Sequence, residues 1–280
     1  MKLRGDVLKN IRRKRGLSQT ALAEGICTQA TISLMEKRNQ LPKMNILTAI
    51  CERLNISIDK IVENTGSGIG EQFNTVIDDL LAHQYEQAEA DLRKINVKDL
   101  ESDFDKQRYY YLLGISQVSL DEIDEAIFNF ELVLTQFATT SANIYLAMTT
   151  VGMAIAYYKR DDPERSKRLT DRAVRLIDNK QLIGSLRQWT TIYNQLAQLY
   201  FSLGEYIEAK EVAQRGIDLC RRHDSLFILD ELYLLLGKSE RALNQVNQAK
   251  ETLAIAKSIS LARNESMVQK EILDELANLD

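Results

Sequence analysis

The stretch WTTIYNQLAQLYFSLGEYIEAKEVAQRG, Trp189–Gly216, decides the fold. Apolar side chains recur through it at helical spacing, and Gly204 interrupts the pattern, so the stretch reads as two helices joined by a tight turn. Ala197 stands before the turn, Ala209 follows it by twelve positions, and Gly216 lies seven further on. Small residues at those places let the backbones of the two helices approach closely, and larger neighbours fill the remaining space. The same frame extends outward in both directions. Gly114, Ala126 and Val133 fit it with Phe130 between; Ala154, Ser166 and Ala173 fit next; Gly237, Ala249 and Ala256 make another hairpin. Ala88 and Ile95 mark a degenerate first unit in VIDDLLAHQYEQAEADLRKI. The small residue of the second helix recurs at positions 88, 126, 166, 209 and 249, at intervals of 38, 40, 43 and 40.

This spacing resembles the tetratricopeptide repeat, with hairpins longer than its usual repeat of about 34 residues. The resemblance implies a right-handed superhelical array of about five helical hairpins, its concave wall lined by the first helix of each. ESMVQKEILDELANL, at 265–279, reads as a terminal capping helix. The chain holds two prolines, Pro42 and Pro163, each where a helix would open. An all-α fold follows.

Residues 1–62 carry 12 Lys and Arg against 5 Asp and Glu, a net charge of +7, whereas the remainder carries 24 against 35, a net of −11. A basic head on an acidic body points to a polyanion partner for the head alone. Three scattered cysteines, Cys27, Cys51 and Cys220, and two distant histidines, His83 and His223, argue against a zinc site or a disulfide framework. The cysteines read as small buried apolar residues of a reducing compartment. The basic N-terminus lacks the apolar run of a signal peptide, and no stretch is long and apolar enough to span a bilayer. A cytoplasmic protein without metal, cofactor or membrane partner is expected.

Residues 6–62 read as five short helices, capped in turn by Ser18, Thr28 and Ser57 and opened at the fourth by Pro42. Leu22, Ala23, Ile26, Ile32, Met35, Ile46, Leu47, Ile50, Leu54 and Ile61 supply their core. Within this head, GLSQTALAEGICTQATISLMEKRNQLP (16–42) resembles the helix-turn-helix of the phage-repressor type, the XRE family. Ser18-Gln19, Leu22-Ala23, Thr28-Gln29, Thr31-Ile32-Ser33, Glu36 and Pro42 carry the likeness; Cys27 departs from it, and Ile26-Cys27 is similar to the PlcR-type variant. The helix after Thr28 is then the one that enters the major groove, with Gln29, Ala30 and Ser33 on its leading, outward face. Gln29 suits an adenine edge. Gln19, at the start of the preceding helix, is placed to hold a phosphate, with Arg13, Lys37, Arg38 and Lys43 as further phosphate contacts. Thr28 is either a phosphate ligand or only a cap. The resemblance implies that Glu36 forms a structural ion pair with Arg12, and the run Arg12-Arg13-Lys14-Arg15 is either a solvated face or partly a DNA surface.

ENTGSGIGEQ, at 63–72, separates head from body with three glycines between 66 and 70 and reads as a flexible connection. The domains expected are 1–64 for the head, 65–72 for the linker and 73–280 for the repeat array. This combination resembles the RRNPP family of peptide-responsive regulators of Gram-positive bacteria. The resemblance implies a homodimer on a palindromic double-stranded DNA operator, controlled by a short signalling peptide in the concave face. The small-residue frame places on that face Arg108, Tyr111 and Ile115, then Val151, Ile155 and Tyr158. Further along it places Thr191, Asn194, Gln198 and Phe201, then Leu234, Lys238 and Arg241. Asn194 has donor and acceptor for a peptide backbone, as the matching asparagine of the family implies, or else a hydrogen bond within the array. Trp189, Tyr111 and Tyr158 are packing residues or ligand anchors. A DNA-bound adaptor that holds another protein is the alternative reading. With no Gly-rich phosphate loop, metal cluster or nucleophile–base pair, no catalytic residue is expected.

Overall fold

The computed structural model describes residues 2–54, 56, 58–63, 69–100, 102–137, 144–179, 182–263 and 266–279. The chain divides into two compact units, residues 1–74 and 75–280.

The first unit holds α1 (Gly5–Lys14), α2 (Gln19–Ala23), α3 (Gln29–Arg38) and α4 (Met44–Leu54). Ser18 Oγ accepts the Ala21 N–H at 3.0 Å and Thr28 Oγ1 the Thr31 N–H at 3.3 Å, so side-chain caps start both short helices. Two details differ from the sequence reading. Pro42 does not open α4 directly; the helix begins at Met44, two residues later. The expected fifth helix is a single 3-10 turn, Ile58–Lys60, followed by a two-residue strand. That strand, β2 (Val62–Glu63), pairs antiparallel with β1 (Lys2–Leu3) and sets Leu3 opposite Val62. Five residues rich in β-branched side chains make too few intrahelical bonds to hold a helix. The extended form instead buries both Leu3 and Val62 in the core, beside the expected residues and Leu8 and Cys51.

A close contact closes this unit. A Cβ at Gly5 would lie 2.2 Å from the Met35 carbonyl oxygen, so the start of α1 rests directly on the backbone of α3. The left-handed Asn39 (φ 54°) ends α3, and its side-chain oxygen accepts the Gly5 N–H at 2.9 Å.

Residues 64–68 lie outside the described residues. The remainder of the expected linker, 69–72, is helical: it belongs to α5 (Ile69–Leu81), which runs across the boundary between the units. Its apolar face, with Phe73 and Val76 fully buried, explains why the glycine-rich composition does not extend into a loop there. After α5 come α6 (Tyr85–Arg93), α7 (Asp103–Ser119), α8 (Ile123–Thr135), α9 (Tyr145–Lys159) and α10 (Pro163–Asn179). The array ends with α11 (Leu186–Ser202), α12 (Tyr206–Arg222), α13 (Leu229–Ala242), α14 (Val246–Arg263) and α15 (Ser266–Ala277). Among the described residues these helices make five successive hairpins and a terminal helix.

Every hairpin turns the same way. Its first helix ends on a left-handed residue, His83, Asp121, Asp161, Gly204 or Asn244, with φ between 57° and 79°. The next residue sends its N–H back to a carbonyl in the last turn at 2.8–2.9 Å (Gln84 to Asp79, Glu122 to Gln117, Asp162 to Tyr157, Glu205 to Tyr200, Gln245 to Glu240). This is a Schellman closure. The carbonyl of that same residue then accepts the N–H of Ala88, Ala126, Ser166, Ala209 or Ala249 at 2.9–3.1 Å, so the small residue of the second helix stands five positions after each turn. All five are fully buried. Between the helices, Ser166 Oγ donates to the Ala154 carbonyl at 2.8 Å.

Larger side chains lock the stack. Phe130 of α8 is fully buried, and its ring would lie 2.5 Å from a Cβ at Gly114 and 2.7 Å from one at Gly152, so α7 and α9 both close on it. Leu232 meets Gly216 and Leu253 meets Gly237 in the same way, at 2.8 Å and 2.7 Å. Gly114→Ala is expected to destabilise the repeat unit by about 1–3 kcal/mol through overpacking against Phe130, with Tm falling about 2–4 °C per kcal/mol. Scanning calorimetry of wild type and variant checks this; an unchanged Tm would mean that the ring moves aside without cost.

Candidate DNA and ligand sites

In the first unit, polar side chains tie three helices together. Arg12 of α1 grips Glu36 of α3 with two hydrogen bonds, Nε to Oε1 at 2.5 Å and Nη2 to Oε2 at 2.9 Å, and its Nη1 donates to the Leu17 carbonyl at 2.6 Å. Both side chains are buried, 8% and 1% exposed. Gln19 of α2 donates its amide to Glu36 Oε2 at 2.8 Å, and its carbonyl accepts the amide of Gln29 at 2.6 Å. The line Arg12–Glu36–Gln19–Gln29 thus runs from the interior to the first residue of α3. Burial pushes the Glu36 carboxyl up, but the hydrogen bonds from Arg12 and Gln19 and the charges of Arg12 and Lys9 outweigh it, and the group lies below the usual carboxylate range. The bond to Glu36 raises Arg12 in turn, against the opposing effect of burial.

Most of the residues expected on the outward face of this unit are exposed. Gln29, Ala30, Lys37 and Arg38 of α3 are exposed, as are Arg13 of α1 and Lys43 before α4; Ser33 is half-buried. Thr28, also exposed, uses its hydroxyl on Thr31 as a cap. Gln19, expected at a phosphate, is half-buried, and its amide bonds to Glu36 and Gln29. Sequence reasoning missed Arg53 of α4. Its Nη1 donates to the carbonyls of Ala21, Leu22 and Glu24 and so closes the open end of α2, a long-range cap with no local signature.

In the second unit, Asn194 of α11 donates its Nδ2 to Glu231 Oε2 of α13 at 2.8 Å, while its Oδ1 is buried with no hydrogen-bond partner. Gln198 is exposed and Thr191 half-buried on the same helix. Phe201 packs on Tyr206 at 5.3 Å between ring centroids and carries Lys238 Nζ above its ring at 5.0 Å. Lys238 and Arg241 of α13 pair with Glu271 and Glu275 of α15, at 2.7 Å and 3.0 Å. Tyr158 is exposed, and its hydroxyl donates to the Ser202 carbonyl at 3.2 Å. Arg108, half-buried, lies close enough to Tyr145 to oppose the burial that pushes that phenol up to about 12.

Three expected inner-face residues are core residues instead. Tyr111 is 4% exposed, packed against Phe130 and Tyr145, and burial drives its phenol far above the ordinary tyrosine range. Val151 and Leu234 are buried as well. The first helices α7, α9, α11 and α13 pack in succession on one another, and that contact covers positions which the hairpin frame alone places on the open side. Trp189 stacks on Tyr193 at 6.2 Å, with Arg215 lying 5.2 Å over the Tyr193 ring.

Residues 8–61 match the helix-turn-helix family model, and residues 189–223 match a tetratricopeptide repeat model. Against curated protein sequences no match is found. Among solved structures, PlcR of Bacillus thuringiensis in complex with the peptide PapR7 and DNA is similar over 97% of this chain and 99% of that one, with TM-score 0.64 and 18% identity. ComR of S. thermophilus in complex with DNA and its signalling peptide ComS is similar over 98% and 99%, with TM-score 0.56 and 14% identity. A Rap protein complexed with competence and sporulation factor is similar over 90% and 71%, with TM-score 0.62 and 10% identity. The fold is shared with PlcR, ComR and the Rap protein. The helix-turn-helix match includes α2 and α3, and the repeat match falls on α11 and α12, the hairpin with which the sequence is most easily read.

Removing Arg12 strands the Glu36 charge in a buried site, so Arg12→Ala is expected to cost about 3–5 kcal/mol of head stability. Because the Glu36 carboxyl is lowered in the folded head, its charge favours the fold at every pH above the ordinary carboxylate range, roughly pH 4–5. The contribution is lost as acid carries the pH down through the lowered folded value. The Tm gap between wild type and Glu36→Gln should therefore be wide at neutral pH and close in acid; thermal melts across that range check it, and a gap independent of pH would contradict the pairing.

Proposed function

We propose that the protein is a cytoplasmic transcriptional regulator that binds a two-fold symmetric operator as a homodimer, with a short signalling peptide in the repeat unit controlling DNA binding. DNA binding is assigned to residues 1–64 and peptide binding to 73–280. The observation that carries the reading is the line Arg12–Glu36–Gln19–Gln29, which holds a base-reading amide at the leading end of an exposed helix of a basic unit. The near full-length likeness to PlcR and ComR, whose structures contain DNA and a signalling peptide, supports the peptide-controlled part.

The mechanism follows from the chemistry of the two sites. With its Nε2 joined to Gln19, Gln29 faces outward with its carbonyl oxygen and a remaining N–H, the acceptor and donor that an adenine edge requires. Ala30 and Ser33 let α3 approach the base edges closely. Lys37, Arg38, Arg13 and Lys43 neutralise phosphates and give affinity without sequence information. In the dimer the two copies of α3 stand about one DNA turn apart, about 34 Å, or a multiple of it. The peptide acts by binding one arrangement of the dimer better than another, since only differential affinity shifts an equilibrium. Asn194 takes the peptide backbone: its Oδ1 lacks a donor, and its Nδ2 is steadied by Glu231.

Gln29→Ala should cost about 1–3 kcal/mol at the cognate operator and relax preference at one base pair. Gln19→Ala should relax the same position in part, since it frees Gln29 to turn. Lys37→Ala should weaken all sequences alike and flatten the salt dependence. Selection from a randomised operator library measures all three, and identical profiles would place α3 wrongly on the DNA. Asn194→Ala should abolish the response to the cognate peptide while DNA binding without peptide persists. Calorimetry giving wild-type peptide affinity in that variant would remove the clamp.

A further inference from the structure

The α11–α13 face carries two mismatched ends of a binding site. Asn194 Oδ1 is a buried acceptor with no donor. Arg241 Nε is a buried donor with no aligned acceptor, although Glu275 Oε2 lies 3.0 Å from it, and Glu275 Oε2 itself has no hydrogen bond. The remaining contact of that pair, Nη2 to Oε1, is long at 3.4 Å. A guanidinium binds a carboxylate best through two parallel bonds in one plane, and α15 does not supply that geometry. The neighbouring pair is replaceable for another reason: Glu271 is 53% exposed while Lys238 is 15% exposed, so the cation is the built-in partner and the carboxylate the loose one. Lys238 is also seated on the Phe201 ring, independently of Glu271.

We propose that Lys238 and Arg241 form a subsite for a carboxylate of the bound peptide, and that Glu271 and Glu275 of α15 are internal stand-ins which that carboxylate displaces. This rests on the peptide-receptor reading above and names the chemistry of the ligand. The register of the helices sets the spacing. Asn194 meets Glu231 and Phe201 meets Lys238, both 37 positions apart, so α11 and α13 run side by side in parallel. Arg241 lies ten residues beyond Glu231, about 15 Å along the helix axis, a span that about five extended peptide residues cover. A peptide clamped by Asn194 therefore places a carboxylate, from an acidic side chain or from its own C-terminus, four or five residues away at Arg241. The helix α15 stays in place as the two glutamates swing out, because Ile272 is fully buried with Leu234, Leu253 and Ala256 and holds it independently.

The test is affinity selection on the full-length protein from pools of random synthetic peptides long enough to span the distance. One pool has free C-termini and no Asp or Glu, a second has amidated C-termini with Asp and Glu, and a third is amidated without either. Retention of the first pool identifies the terminal carboxylate as the source, retention of the second identifies a side chain, and the third is expected to be lost. Glu271→Gln combined with Glu275→Gln should raise retention about fivefold or more by removing the competitor, whereas Lys238→Gln or Arg241→Gln should abolish it. The glutamate variant keeps the Ile272 contacts and gains rather than loses, so misfolding cannot imitate its effect. Equal retention of the third pool, or no gain from the glutamate variant, overturns the carboxylate subsite while leaving the peptide receptor intact. Failure of every pool on every variant overturns both.

Discussion

Close approach of helix backbones at small residues is the contact on which the repeat unit depends. A hairpin of two helices has little interior of its own, and its apolar faces are covered only when the backbones come near enough for side chains of the next hairpin to reach between them. Ala126, Ser166, Ala209 and Ala249 permit that approach, and Phe130, Leu232 and Leu253 then fill the space left at glycines on facing helices. The Schellman turn makes the contact reproducible, since it fixes the small residue five positions after the left-handed one in each hairpin. The face that carries Asn194, Lys238 and Arg241 is a by-product of this packing: the first helices lie side by side because their partners hold them there.

The first unit meets the same need by polar means. It is too small to depend on apolar burial alone, and Arg12 and Glu36 connect α1 to α3 through two hydrogen bonds between buried side chains. Gln19 carries the connection to the surface and ends it on Gln29. The exposed amide of Gln29 is therefore held in one orientation, so it has less side-chain freedom to surrender to a partner. Arg53 works from the opposite side, closing the end of α2 so that the turn before α3 holds its angle.

Much of this was legible in the sequence, and the remainder was hidden for identifiable reasons. Ala197, Ala209 and Gly216 stand out because close packing admits few residue types, and Ser18 and Thr28 because capping does likewise. Four of the five turn residues escaped notice because only Gly204 is a glycine; Asp121, Asp161, Asn244 and His83 adopt the same left-handed backbone without advertising it. The two-residue pairing of Leu3 with Val62 is too short to show any periodicity. The frame gave the direction of Tyr111, Val151 and Leu234 but not their depth, which depends on neighbouring hairpins. The pairs joining α13 to α15 required the register between helices more than 30 residues apart, and a single sequence does not contain it.

The turn residues also bear on the unfolded chain. A glycine at each turn would enter the left-handed conformation freely, but would also wander over the widest range of backbone states before folding. Asp121, Asp161, Asn244 and His83 accept some strain in the folded turn in return for a narrower denatured ensemble, and the two effects oppose each other with similar magnitude. Cooperativity along the array consequently comes from the interfaces between hairpins rather than from their turns. When the stack opens, whole hairpins are the units that separate, each keeping its closure until its neighbours have gone.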